Sequence, residues 1–229
     1  MSNEPDREIG DTEAPFTRVK VCGIRRVQDA VLATDLGASA VGLVFWEGSP
    51  RYIDPYRARA IGAALPPGVM PVGVFVDQPV EFVMGVARLI PLGALQLHGS
   101  ESIASFARVA QRLIKAVPVT EPFEADVIDL VPPYVTVLLD AHDPVRRGGS
   151  GRTIDWTVAA TVAARRRTIL SGGLTAANVG EAIARVRPYM IDVSSGVESA
   201  PGVKDPVKLR EFFAAVAAVR RDSRLTTRD

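Results

Sequence analysis

A single cysteine, Cys22, occurs in 229 residues. No disulfide can form within the chain, and such usage fits a reducing, cytoplasmic setting. Histidine is nearly as scarce. His98 and His142 are the only two, neither sits in a ligand spacing such as HxxxH, and no metal is expected. Charge of one sign is missing as well. The formal net charge is +1, with acids and bases interleaved along most of the chain, which argues against a nucleic-acid footprint or a polybasic membrane surface. No apolar run approaches the roughly 20 residues of a membrane span. What the chain does have is apolar residues, 47% of the total, ample for a sizeable core.

The opening stretch MSNEPDREIGDTEAP sets Glu4, Asp6, Glu8, Asp11 and Glu13 against Arg7 alone. It lacks the basic and apolar regions of a signal peptide. Residues 1–15 are read as a disordered acidic tail, 16–222 as one domain, and 223–229 as a short flexible tail.

After the tail one alternation repeats to the end. Short β-branched runs (RVKVC, ASAVGLVF, MPVGVFV, GALQLH, LIKAVPV, YVTVLLD, RTILSGG, YMIDVSSG) each precede a helical or partly helical stretch. In the first helix Val27, Ala30, Val31 and Thr34 are expected on the buried face. Asp54 and Asp205 read as N-caps with proline at the next position, and Ser100 as the N-cap of a fourth helix, SESIASFARVAQR. EPFEADVIDLVPP reads as a weaker helix or partly a loop. The strands lack strict alternation, as parallel strands covered by helices do. Eight such units predict a single-domain α/β protein, a (β/α)8 TIM barrel, with a doubly wound open sheet as the alternative.

In a barrel the chemistry sits at the C-terminal strand ends. Those positions hold Cys22, Phe45, Asp77, Gln96, His98, Asp140, Ser171–Gly173 and Ser194–Gly196. The loops LSGGLT and DVSSGVES follow strands seven and eight, where glycine lets backbone N–H groups approach an anion, so a phosphate site is expected there. Asp140 reads equally as a general acid in an apolar mouth or as a local cap or arginine partner. Cys22 alone reads more simply as a small buried hydrophobe, although Lys20, on the same strand face, could favour its thiolate. His98 could meet a substrate or be held by a backbone partner. RRGGSGR at 146–152 lacks the ending of a nucleotide phosphate loop and reads as a lid. RRR at 165–167 reads as a solvated face near a helix C-terminus.

The ordered set VKVCGIR, AVGLVFWEGSPRYI, VGVFV, LQLHG, LLD, GGSGRTIDW, LSGGLTAANV and DVSSGVESAPGVKD closely resembles the phosphoribosylanthranilate isomerase family. The resemblance runs from about Arg18 to Arg220. It implies a barrel enzyme without metal or organic cofactor that isomerises N-(5'-phosphoribosyl)anthranilate in tryptophan biosynthesis. It implies Cys22 as general base, Asp140 as general acid and Arg51 as the anchor of the anthranilate carboxylate. Lys20, Gln96 and His98 would join Arg51 in binding substrate, and Gly172, Gly173, Asp192, Ser194, Ser195 and Gly196 would bind phosphate. The expected partner is this small-molecule substrate alone, bound by a monomer or homodimer. Asp143 is a second carboxylate near Asp140, which is preferred because it ends its strand. Two rivals remain. One is a histidine-pathway isomerase, against which Cys22 argues, because such barrels resemble this one with aspartate at the end of strand one. The other is a catalytically silent phosphate-binding barrel.

Overall fold

A computed structural model describes residues 17–120, 123, 125–141 and 154–225. The acidic tail, the expected lid and both His142 and Asp143 lie outside them. Eight parallel strands close a barrel in sequence order. They are β1 (Arg18–Cys22), β2 (Ala40–Val44), β3 (Met70–Phe75), β4 (Ala94–Leu97), β5 (Arg112–Val119), β6 (Thr136–Ala141), β7 (Thr168–Leu170) and β8 (Met190–Val193). Closure excludes the open sheet. The seam pairs β1 with β8, Lys20 lying opposite Asp192.

Side chains alternate between the two faces of each strand. Inside the barrel Ala40, Val72, Ala94, Ile114, Ala116, Leu138, Ile169 and Met190 form one packed apolar cluster. The opposite faces of the strands, with Val19, Val21, Leu43, Leu95, Val137 and Ile191, join the helices in the larger outer core. Polar residues of inward parity therefore end up in the mouth above a dry plug.

Six α-helices are described: α1 (Val27–Asp35), α2 (Pro55–Ala64), α3 (Val80–Leu89), α4 (Trp156–Arg165), α5 (Val179–Val186) and α6 (Pro206–Leu225). Asp54 caps α2, accepting the Tyr56 and Arg57 amides, and Asp205 accepts those of Val207 and Lys208, as their positions before proline predict. The helix α6 runs to Leu225, past the expected boundary at 222.

Several expectations fail locally. The fourth helix is only a 3-10 segment, Ile103–Phe106. Ile103, Phe106 and Val109, which pack on the core, are spaced by three, the period of a 3-10 helix. Ser100 caps nothing: its hydroxyl and amide bond Asp77. Glu101 accepts from the amides of Asp77 and Gly99 and from Lys115. Ala125–Leu130, by contrast, is a short 3-10 helix, in keeping with its reading as a weaker helix or partly a loop.

In α1 the buried side is Asp29, Ala30 and Ala33, whereas Val27 and Val31 are about 40% exposed. Asp29 is drawn inward because it forms a two-point pair with Arg26 and accepts the Lys204 amide. In the arginine run at the end of α4, Arg165 and Arg167 are exposed as expected, and only Arg166 is partly buried. Arg165 pairs with Asp129, and Arg166 donates to the carbonyls of Ile128, Val131, Pro132 and Val135. Arg167 and Arg18 both lie against the Tyr189 ring, a cation–π contact at the base of the barrel.

Candidate active site

The inward side chains at the C-terminal strand ends enclose one cleft. Its lining includes Cys22, Arg51, Gln96, His98, Asp140 and Asp192, with Ser171 and Ser194 from the seventh and eighth loops. Val44, Val74, Val76 and Trp46 supply an apolar wall, and Cys22 packs against the first two and Trp46. Residues up to 172 positions apart thus meet on one rim.

The thiol sits beside a buried ion pair. Lys20 donates to Asp192 Oδ2 at 2.8 Å, with the lysine fully buried. Burial pushes the Cys22 thiol above its ordinary value, outweighing the opposite pull of Lys20. Burial also disfavours the Lys20 ammonium, but attraction to Asp192 and to the Cys22 sulfur outweighs it and holds the amine protonated. Lys20 is therefore an electrostatic neighbour of the thiol, buried beneath the cleft and not among the residues that line it. Gly42 faces Cys22 across the β1–β2 register. A Cβ there would lie 2.6 Å from the sulfur, so glycine makes room for the thiol.

Asp140 is buried at the mouth of β6. Its Oδ1 accepts its neighbour's amide, Ala141 N–H, at 3.0 Å, and its Oδ2 lies 3.3 Å from His98 Nε2. His98 Nδ1 is 2.9 Å from Gln96 Nε2. With the amide assigned this way, Gln96 donates to Nδ1 and the ring hydrogen sits on Nε2, pointing at Asp140. Gln96 and His98 thus form a chain ending on the carboxylate, and the imidazole's partners are side chains, not backbone. Two buried acceptors, Gln96 Oε1 and Asp192 Oδ1, have no partner among the described residues.

The seventh and eighth loops are built for close approach. Gly172 and Gly173 adopt φ values of 92° and 60°, the left-handed region that favours glycine. Asn178 braces the turn by accepting the Thr175 amide and donating to Gly173 O. Ser194 donates its hydroxyl to Cys22 O, and a 3-10 segment, Ser195–Val197, follows. No acceptor is found for the Gly172, Gly173 or Gly196 amides among the described residues. Asp192 was expected with this group. Its carboxylate lines the cleft and takes Lys20 on Oδ2, beside the thiol.

Sequence reading missed one part. After β8 the chain forms a small antiparallel pair, β9 (Glu198–Ala200) and β10 (Val203–Lys204). Glu198 grips Arg51 at two points, Nε to Oε1 at 3.0 Å and Nη2 to Oε2 at 2.8 Å. It also takes Lys204 Nζ at 2.8 Å. The dipeptide-level signal was a lone glutamate 147 positions from its arginine, which no spacing rule connects.

Comparison with known proteins agrees with this geometry. Residues 19–215 match the family described as N-(5'phosphoribosyl)anthranilate (PRA) isomerase. The N-(5'-phosphoribosyl)anthranilate isomerase of Pelobacter propionicus is 45% identical over 207 residues, covering 90% of this chain and 98% of that protein. The Geotalea uraniireducens protein of the same name is 48% identical over 200 residues, covering 86% and 97%. Among solved structures, phosphoribosyl anthranilate isomerase from Thermus thermophilus superposes with a TM-score of 0.81 at 43% identity, covering 89% of this chain and all of that one. A further isomerase structure, in complex with reduced 1-(o-carboxyphenylamino)-1-deoxyribulose 5-phosphate, gives 0.78 at 39% identity, with coverages of 88% and 99%. With its closed barrel and this degree of similarity, the chain belongs to the N-(5'-phosphoribosyl)anthranilate isomerase family.

Proposed function

We propose that this chain converts N-(5'-phosphoribosyl)anthranilate to 1-(2-carboxyphenylamino)-1-deoxyribulose 5-phosphate, an Amadori rearrangement in tryptophan biosynthesis. The observation that carries the residue assignment is the meeting of Cys22, Asp140 and Arg51 in one cleft bordered by the seventh and eighth loops. The reaction moves protons only. Asp140 protonates the ribose ring oxygen, the ring opens, and the C1'–N bond becomes a Schiff base. That cation acidifies the C2' hydrogen, which the Cys22 thiolate removes to give an enolamine. Return of a proton to C1' and loss of the 2'-hydroxyl proton give the ketone. General acid and base suffice, so the mechanism invokes neither metal nor organic cofactor.

The remaining groups place the substrate. The amides of Gly172, Gly173 and Gly196, with Ser194 and Ser195, receive the phosphate. Arg51 receives the aromatic carboxylate through planar donors, and the wall of Val44, Val74 and Trp46 takes the ring. Gln96 Oε1 and Asp192 Oδ1 are free to accept sugar hydroxyls. Holding both ends leaves C1' and C2' between acid and base. Every group named comes from one chain, so a monomer or a homodimer in the cytoplasm would serve.

The test is a fluorescence assay with phosphoribosylanthranilate generated in situ. Wild type should consume it, while Cys22→Ala and Asp140→Asn should each lower kcat by a factor of about 100 or more, the usual scale of acid–base contributions, and keep the wild-type circular dichroism spectrum. Near-normal kcat in either variant would remove that residue from the chemistry. Binding without turnover by wild type would favour the silent barrel.

A further inference from the structure

The β9–β10 pair has no part in the barrel wall, yet it carries two buried charges of opposite sign. Glu198 is 7% exposed and Lys204 is 1% exposed. Their ion pair at 2.8 Å does not close on itself. Glu198 also takes the two-point contact of Arg51 and the Gly202 amide. Lys204 Nζ donates onward to Ser194 O at 3.0 Å, in the loop assigned to phosphate.

We propose that Glu198 is a positioning residue that determines specificity for the ortho-carboxylate. It fixes the Arg51 guanidinium so that only its Nη1–Nη2 edge is offered to the substrate. This rests on the reading of Arg51 as the carboxylate anchor. A guanidinium has five donors in a rigid plane. Glu198 occupies Nε and one hydrogen of Nη2, leaving the outer edge of the fork toward the cleft that Arg51 lines. The stem is closely held on one side. A Cβ at Gly23 would strike Arg51 Cδ at 2.5 Å, so the side chain passes tightly against the backbone next to Cys22. Arg25 donates to Pro50 O, holding the loop that carries Arg51.

The charges give the reason for the design. Arg51, Lys204 and Glu198 sum to one positive charge, whereas Lys20 and Asp192 cancel. Within that cluster, apart from the acid Asp140 across the cleft, one substrate carboxylate matches the remaining charge. Lys204 serves both ends, since it touches Glu198 on the aromatic side and Ser194 O on the phosphate side. The paired cations hold Glu198 below the ordinary glutamate value against the opposing effect of burial, so the carboxylate stays ionised in this role.

The experiment compares two stable probes on the full-length protein. One is reduced 1-(o-carboxyphenylamino)-1-deoxyribulose 5-phosphate, and the other is the same compound without the carboxyl group. Dissociation constants are measured for wild type, Glu198→Gln and Glu198→Asp, together with KM and kcat. Wild type should prefer the carboxylated probe. Glu198→Gln should lose about 10- to 100-fold on that probe, the scale of a charge-assisted hydrogen bond, while binding the decarboxylated probe as wild type does. KM should rise more than kcat falls. Glu198→Asp keeps the charge beside Lys204 but draws the fork back, and should lose part of the preference. It carries the test if the glutamine variant does not fold. Full preference in the variants, with wild type discriminating, overturns the inference and leaves the Arg51 assignment standing. Equal losses on both probes would make Glu198 merely structural and also overturn it. Equal binding of the two probes by wild type would instead remove Arg51 as the anchor, and the inference with it.

Discussion

Gly42→Ala probes the placement of the thiol without removing any reacting group. The new Cβ would meet Cys22 Sγ at 2.6 Å and Cys22 Cα at 3.0 Å, where ordinary contact begins at 3.4 Å. The sulfur must therefore retreat by about 0.8 Å (3.4 less 2.6) or β1 and β2 must part. Both strands are paired on their other edges too, to β8 and β3, so the side chain is the softer element. A misplacement of about 1 Å costs roughly 100-fold in rate, and overpacking costs about 1–3 kcal/mol. For a domain of this size that is a melting temperature lower by about 2–12 °C. The assay is kcat/KM by fluorescence decay beside a thermal melt. A fall of about 100-fold with a modest loss of melting temperature is expected. A variant that melts lower but keeps kcat/KM within threefold of wild type would refute the idea that the thiol's position matters, and with it the thiol as base.

Two further outcomes follow from the buried charges. Burial raises the Cys22 thiol above its ordinary value near 9, so kcat/KM should climb with pH on a limb lying on the alkaline side of about 9. A limb centred below about 7 would point to another base. Lys20→Met strands the Asp192 carboxylate in the interior, at a cost of about 3–5 kcal/mol near neutrality. Burial already raises Asp192 against the opposing pull of Lys20, and without the lysine its folded value rises further above an unfolded value of about 3.9. The stability tied to that proton is complete below the unfolded value and is lost as pH rises through the folded one. The melting temperature of Lys20→Met relative to wild type should then recover on acidification toward pH 4. A deficit independent of pH would exclude this account.

Strand ends are legible in a sequence because parallel strands are short apolar runs with abrupt polar or glycine stops. Cys22, Asp140 and the two glycine-serine loops were found in this way, and the barrel order placed them on one rim. The partner of a long charged side chain is not legible. Nothing local to Arg51 announces Glu198, and although Arg26 stands only three residues before Asp29, nothing local announces the Lys204 amide that also meets this acid on the buried side of α1. The period-three spacing of Ile103, Phe106 and Val109 was present in the sequence, but a helical reading of the whole segment masked it. Gly42 escaped notice because its task is to be small opposite a residue twenty positions earlier.

The seam between β1 and β8 has a consequence for folding. Lys20 and Cys22 lie on one of these strands, and Asp192 and Ser194 lie on or just after the other. The partners Lys20 and Asp192 stand 172 positions apart. Joining ends so distant carries a loop-closure cost whose length-dependent part is about 4.6 kcal/mol, and the neighbouring strand pairings along the barrel wall are each far more local. The thiol's electrostatic setting therefore comes into being only with the last and least local act of assembly. In a refolding experiment, return of catalysis reports ring closure, while helix content can recover beforehand in chains that are still open.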